Sequence, residues 1–307
     1  MSWAWLFAQV PRAGYGGGAV VVGYVFIADL YNYRIVKRLA SDLSYVSKIG
    51  TEGIGDDQFD LAAGIEVSGD YVFVADTDNE RIMKRLASDL SFVSKIGTNG
   101  SGDDQFNWPN DIAASGDYVF VADTYNHRIV KRLASDLSYV SKIGTEGSGD
   151  DQFSYPFGIA VLGDYVYVAD SFNNRIVKRL ASDLSYVSQI GTQGSGDDQF
   201  HYPYGIAALG DYVYVADTYN HRIVKRLASD LSYISKIGTQ GSGDDQFEWL
   251  HDIAALGDYV FVADSDNNRI VKRLASDLSY VSEIGTLGTG NDQFDYPFGI
   301  AVGYGAE

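Results

Sequence analysis

The stretch GSGDDQFSYPFGIAVLGDYVYVADSFNNRIVKRL, residues 147–180, decides the fold. Within it, Gly158 to Val161 reads as a short strand, followed by a Gly-Asp turn and a second strand from Tyr165 to Ala169. A third strand runs from Arg175 to Leu180, and a fourth from Tyr186 to Ile190 lies just beyond. Aromatic and β-branched residues fill these runs, while Gly, Asp, Asn and Ser punctuate them. The SDLS segment, as at Ser135 to Ser138, reads as a β-turn between the third and outer strands.

Moving outward, the same unit returns along the whole chain. The pattern AD-x-x-N-x-R places its aspartate at Asp29, Asp76, Asp123, Asp170, Asp217 and Asp264, a constant step of 47 residues. DQF ends at Phe59, Phe106, Phe153, Phe200, Phe247 and Phe294 in the same step. Four strands per unit of that length match a propeller blade. The second strand, YVFVA from Tyr118 to Ala122, is apolar on both faces and must be covered on both sides, as a blade is by its neighbours. The expected fold is all-β: a six-bladed propeller of four-stranded antiparallel blades, a single domain over residues 19–307 after an N-terminal extension of 1–18. The chain starts partway into a unit and ends after an innermost strand. Residues 299–302 are therefore expected to complete the blade begun by Tyr24 to Ala28, which removes two exposed edges. The alternative is that Ala19 to Val22 fills that slot.

These motifs, G-x-G-x-x-Q-F, P-x-G-I-A-V and Y-V-A-D-x-x-N-x-R-I, resemble the NHL repeat from about residue 19 to 302. The resemblance implies a six-bladed propeller used mostly to bind RNA, protein or ligand, and occasionally as an enzyme.

Composition narrows the function. Forty-one acidic against 23 basic residues leave a net charge of −18, which repels phosphate backbones and anionic membrane surfaces and opposes self-association. No nucleic acid, no membrane and a monomer are expected. With no cysteine, disulfides and thiolate metal sites are excluded. The apolar start MSWAWLF lacks a basic leader and is too short to span a bilayer; the compartment stays open.

Residues present in all six units serve the fold; Asp123 and Arg128 are expected to pair across a hairpin. GSGDD offers oxygens for calcium, but such turns need no ion. Functional residues are sought where the copies differ, after DQF and within AD-x-x-N-x-R. Antiparallel topology puts both segments on one end of the blades, a face rich in aromatics. The candidate binding residues there are Trp108, Asn110, Asp111, Tyr125, Phe157, Phe172, Tyr204, Tyr219, Trp249, His251, Asp252 and Phe298. Asp111 and Asp252 replace the Gly of other units three units apart, opposite each other across the axis. With His251 they form a candidate cation site in the central channel, against the reading that they are turn-capping residues reflecting a triplet duplication. Glu66 is the charged outlier of an inner strand.

No other cofactor is expected, and no catalytic constellation: the histidines are scattered and the serines recur in turns without a base. The expectation is a non-catalytic binding scaffold for protein, peptide or glycan. A metal-dependent hydrolase or lyase in the channel, or an amplified symmetric scaffold with no ligand, are the alternatives.

Overall fold

The computed structural model describes residues 21–306, so the expected extension of residues 1–18 lies outside the described residues. Six four-stranded antiparallel sheets form the blades of a propeller, with the inner strand of each packed against the inner strands of its neighbours. In the third blade the strands are Pro109–Ser115, Tyr118–Asp123, Arg128–Leu133 and Tyr139–Ile143. Inner strands are longer than the sequence suggests; the fourth blade's starts at Pro156 and ends at Leu162.

Ring closure follows the phase of the repeat. Pro297–Ala306 pairs antiparallel with Val21–Asp29, with Val25 opposite Val302 and Ile27 opposite Ile300. Together with Arg34–Leu39 and Tyr45–Ile49 they make the first blade from both ends of the chain.

The core lies between blades. Phe106 of DQF is fully buried among Phe73, Ile82, Val119 and Val130, which belong to two successive blades. Its neighbour Gln105 folds back so that its Oε1 accepts from Gly102 N and its Nε2 donates to Asn99 O. A Cβ on Gly100 would stand 2.4 Å from that Oε1, and φ there is +144°, so G-x-G and Q are one device.

Two buried arginines then fasten this loop to its blade. Arg128 Nε donates to Asp123 Oδ2 at 2.6 Å, while its Nη atoms donate to Ser101 O, Gly102 O and Gln105 O. Arg132 reaches Leu137 O, Asp103 O and the Asp104 carboxylate. The loop oxygens that would suit calcium are taken by guanidinium groups. Burial pushes the Asp123 carboxyl up, and hydrogen bonds from Asn107 N, Asn126 and Arg128 oppose it.

Six lysines tie blade to blade on the opposite end. Lys131 Nζ lies 3.8 Å from the Tyr118 ring centroid and donates to Ala181 O and Ser182 O of the next blade. Lys272 does the same to Ala40 O and Ser41 O, so the set runs across the closure. Among the described residues, twelve arginines and six lysines are buried, which places most of their positive charge inside.

Candidate binding face

The turn after each second strand and the segment after each DQF share one end of the propeller, held together by backbone bonds such as Tyr125 N to Asn107 O at 3.0 Å. Both segments contain left-handed residues: Trp108, Tyr155, Tyr202, Trp249 and Tyr296 before the inner strand, and His127, Asn174 and His221 at the turn's end. This conformation turns the aromatic side chains outward over the neighbouring blade.

The result is a continuous arc of rings. Trp108 stacks on Tyr125 at 4.9 Å, and Tyr125 meets Tyr155 edge-on at 5.4 Å. The contacts continue through Phe172, Tyr202 and Tyr219 to Trp249, each step between 4.5 and 4.9 Å. Tyr125, Phe172 and Tyr219 are exposed on it, as is Tyr31 in the first blade, where it packs on Tyr296. Trp108, Trp249, Phe157, Tyr204 and Phe298 are half-buried between their neighbours.

Several positions that vary along the chain prove to be brackets. His127 Nδ1 accepts from Tyr155 N, Asn174 Oδ1 from Tyr202 N, Asn268 Oδ1 from Tyr296 N, and Glu80 Oε2 from Trp108 N. In each case the sixth residue of AD-x-x-N-x-R holds the aromatic of the following blade in place. His127 therefore carries its proton on Nε2. The constant 28-residue separation of these partners is visible in the sequence, but only the blade-to-blade contact gives it meaning.

Nearer the axis, Phe157 stacks on Tyr204 at 4.3 Å and His251 on Phe298 at 4.3 Å. With Asn110 and Ala63 they close the channel on this side. Asn110 and His251 are buried there, as are Asp111 and Asp252, so these four lie beneath the open surface. His251 Nδ1 shares a hydrogen bond with Ser265 Oγ at 2.9 Å, and burial pulls its pKa down to about 3, leaving it neutral.

At the next position inward, inner strands nearly touch. A Cβ on Gly158 would fall 2.1 Å from Tyr204 O, which explains Gly in four units. Asp111 instead bridges two blades, its Oδ1 accepting from Ile112 N and its Oδ2 from Ile159 N, both at 2.8 Å. Asp252 repeats this with Ile253 N and Ile300 N. The aspartates cap strand backbone across a blade junction, and not a turn.

Both aspartates and Glu66 face a cavity of about 110 Å³ walled otherwise by Ile, Ala and Val side chains. Glu66 stands where the other units have Ala113, Ala160, Ala207, Ala254 and Ala301. Desolvation by those walls, reinforced by the Asp252 charge, raises the Glu66 carboxyl well above its usual range. Desolvation also raises Asp111, with Asp252 adding repulsion, and pushes Asp252 up to about 7 against its backbone hydrogen bonds. Among the described residues, no group of three His, Asp or Glu side chains is placed to share a metal ion. Asp111, Asp252 and His251 are thus not assembled into one ligand set.

A raised carboxyl favours folding in its neutral form, so its contribution is complete near pH 4 and fades as the pH climbs through the folded value. Glu66→Ala is expected to stabilise the fold little at pH 4 and by roughly 1–3 kcal/mol at pH 8, seen as a higher melting temperature. Thermal melts of both proteins across that range measure it; an equal shift at the two pH values would remove the buried charge from the explanation.

The geometry defines a six-bladed β-propeller with a structured aromatic end. The NHL repeat family matches residues 106–131, and the LVIVD repeat family matches residues 61–82, 157–177, 203–224 and 250–289. Its repeat unit is thus similar to both repeat families, and the chain is a six-bladed β-propeller. No curated protein matches it. Among solved structures it is similar to a chain of a nidogen/laminin complex, with 13% identity and a TM-score of 0.67 over 91% of this chain and 98% of that one. It is also similar to a streptogramin B lyase, with 15% identity and a TM-score of 0.60 over 91% and 83% of the two chains. A third likeness is a functionally unknown protein of Desulfotomaculum acetoxidans, 14% identical, with a TM-score of 0.58 over 90% and 83%. At these identities the likenesses concern the fold. No described helix is long and apolar enough to cross a membrane.

Proposed function

We propose that the chain is a non-catalytic binding propeller whose aromatic end takes a protein, peptide or glycan. The observation that carries this is the arc from Trp108 to Trp249, in which rings held in left-handed backbone alternate with the rings of the neighbouring turns, three of the latter, Tyr125, Phe172 and Tyr219, open to solvent. Exposed rings packed against fixed neighbours lose little entropy on contact, which suits recognition. The nidogen/laminin likeness supports a protein partner, since that propeller was solved in a protein complex. The streptogramin B lyase likeness keeps a channel lyase as the second reading, although Asp111 and Asp252 are engaged by backbone amides.

Peptide and glycan arrays probed with the intact chain test the proposal. The triple variant Tyr125→Ala, Phe172→Ala, Tyr219→Ala is expected to lose at least tenfold in affinity for any ligand found, at about 1 kcal/mol or more per anchoring ring. Retained affinity in that variant would refute the assignment of the face. Metal analysis and a lactone-opening assay address the second reading.

RNA is not expected to bind at physiological salt. Among the described residues only Lys48, Lys95, Lys142 and Lys236 are basic and unburied, and they sit on outer strands of separate blades, several paired with aspartate. Such a layout cannot track a phosphate backbone. Salt-sensitive submicromolar binding in a filter assay would contradict this.

A further inference from the structure

The arc is bounded at both ends by carboxylates. One blade before Trp108, the position held by Tyr125 in the arc is occupied by Asp78, with Asp60 beside it. One blade after Tyr219, the same position is Asp266, with Glu248 beside it. Asp78 N donates to Asp60 O, and Asp266 N to Glu248 O, so each pair is pinned by the same backbone bond. Each pair repels itself, and the repulsion adds to partial desolvation in raising Asp78 and Asp266. Among the described residues, neither pair meets a lysine or arginine; Glu248 Oε1 accepts from Gln240 Nε2 at 3.0 Å, and its one basic neighbour is His221 Nδ1, at 4.0 Å.

We infer that the aromatic face recognises an extended peptide with an apolar or aromatic middle and basic residues at both ends, the middle lying along the arc and each end meeting one carboxylate pair. This rests on the reading of the face as a binding surface and names its ligand. Charge complementarity carries it: two like-charged pairs terminate one apolar track, and a cation at each relieves the repulsion that the free protein holds. The length also fits. The arc comprises six ring-to-ring steps of 4.5–5.4 Å. At about 3.1–3.3 Å per residue, an extended or polyproline segment of roughly nine or ten residues covers it. A neutral glycan would use the rings but leave both carboxylate pairs uncompensated.

The probe is a fourteen-residue peptide with two lysines at each end and a ten-residue proline–tyrosine middle, titrated calorimetrically into the intact chain. Controls are the same peptide with serine ends and with glutamate ends, and a neutral oligosaccharide. The lysine-ended peptide is expected to bind most tightly, with affinity falling as salt rises. Asp60→Asn/Asp78→Asn and Glu248→Gln/Asp266→Asn are each expected to weaken it roughly three- to tenfold and to reduce the salt dependence. Circular dichroism melts confirm that both variants fold. Equal binding of serine-ended peptide, or indifference to both double variants while Tyr125→Ala weakens binding, would overturn the inference and leave the binding face standing. Preference for the oligosaccharide would do the same. Binding by none of the probes, with blank arrays, would overturn both.

Discussion

A chain ending at Tyr296 is expected to melt roughly 10–20 °C below the full chain, with a broadened transition. The deleted strand, Pro297–Ala306, supplies Ile300 and Ala301 to the cores on either side of the first blade, and it covers one edge of Val21–Asp29 along most of its length. Burial of one Ile is worth about 1.5–3 kcal/mol. Loss of the strand also exposes a row of unpaired backbone groups and removes Asp252's partner, Ile300 N. A total on the order of 5 kcal/mol is reasonable on these terms. A synthetic peptide of residues 297–306 added to the shortened chain is expected to restore most of the loss, because the slot is shaped by its neighbours. An unchanged melting temperature after truncation would mean that another segment fills the slot.

The second large effect is expected at the arginines. Arg128→Ala leaves the fully buried Asp123 carboxylate without its guanidinium and three loop carbonyls without their shortest side-chain donors. Removing one partner of a buried pair costs about 3–5 kcal/mol, here with unsatisfied oxygens added. Lysine at this position is expected to recover little, since one ammonium cannot reproduce the fork that meets Asp123 and the loop together. Urea unfolding of Arg128→Ala and Arg128→Lys checks both statements. Losses below about 1 kcal/mol would show that water enters and satisfies the site.

These two regions illustrate what could be read from sequence. The constant 47-residue step and the apolar second strands lead directly to six blades, and the phase of the repeat leads to closure by residues 299–302. The Asp123–Arg128 pair is legible because both residues recur at fixed spacing across a hairpin. The roles of Arg132 and Lys131 are not legible, since their partners lie in a loop or in the next blade and carry no pattern of their own. The same reason hid the brackets made by His127, Asn174 and Asn268.

At the candidate site, the aromatic end was located by topology, while exposure could not be assigned. The exposed Tyr125, Phe172 and Tyr219 stand in the turns after the second strands, while the half-buried Trp108, Phe157 and Tyr204 stand where the chain enters the inner strands. From sequence Asp111 and Asp252 read as turn caps ahead of cation ligands, and the cap across a blade junction is not among those readings. That cap depends on the close approach of inner strands at the axis, where the amides of Ile159 and Ile300 meet them.

Hydrogen exchange of the intact chain with and without its best array ligand tests the central claim, that the aromatic end is where this propeller binds. Protection is predicted in the turns at residues 124–127, 171–174 and 218–221 and in the segments before the inner strands. Protection confined to the Gly-Asp and SDLS turns of the opposite end, or to the outer strands, would contradict it.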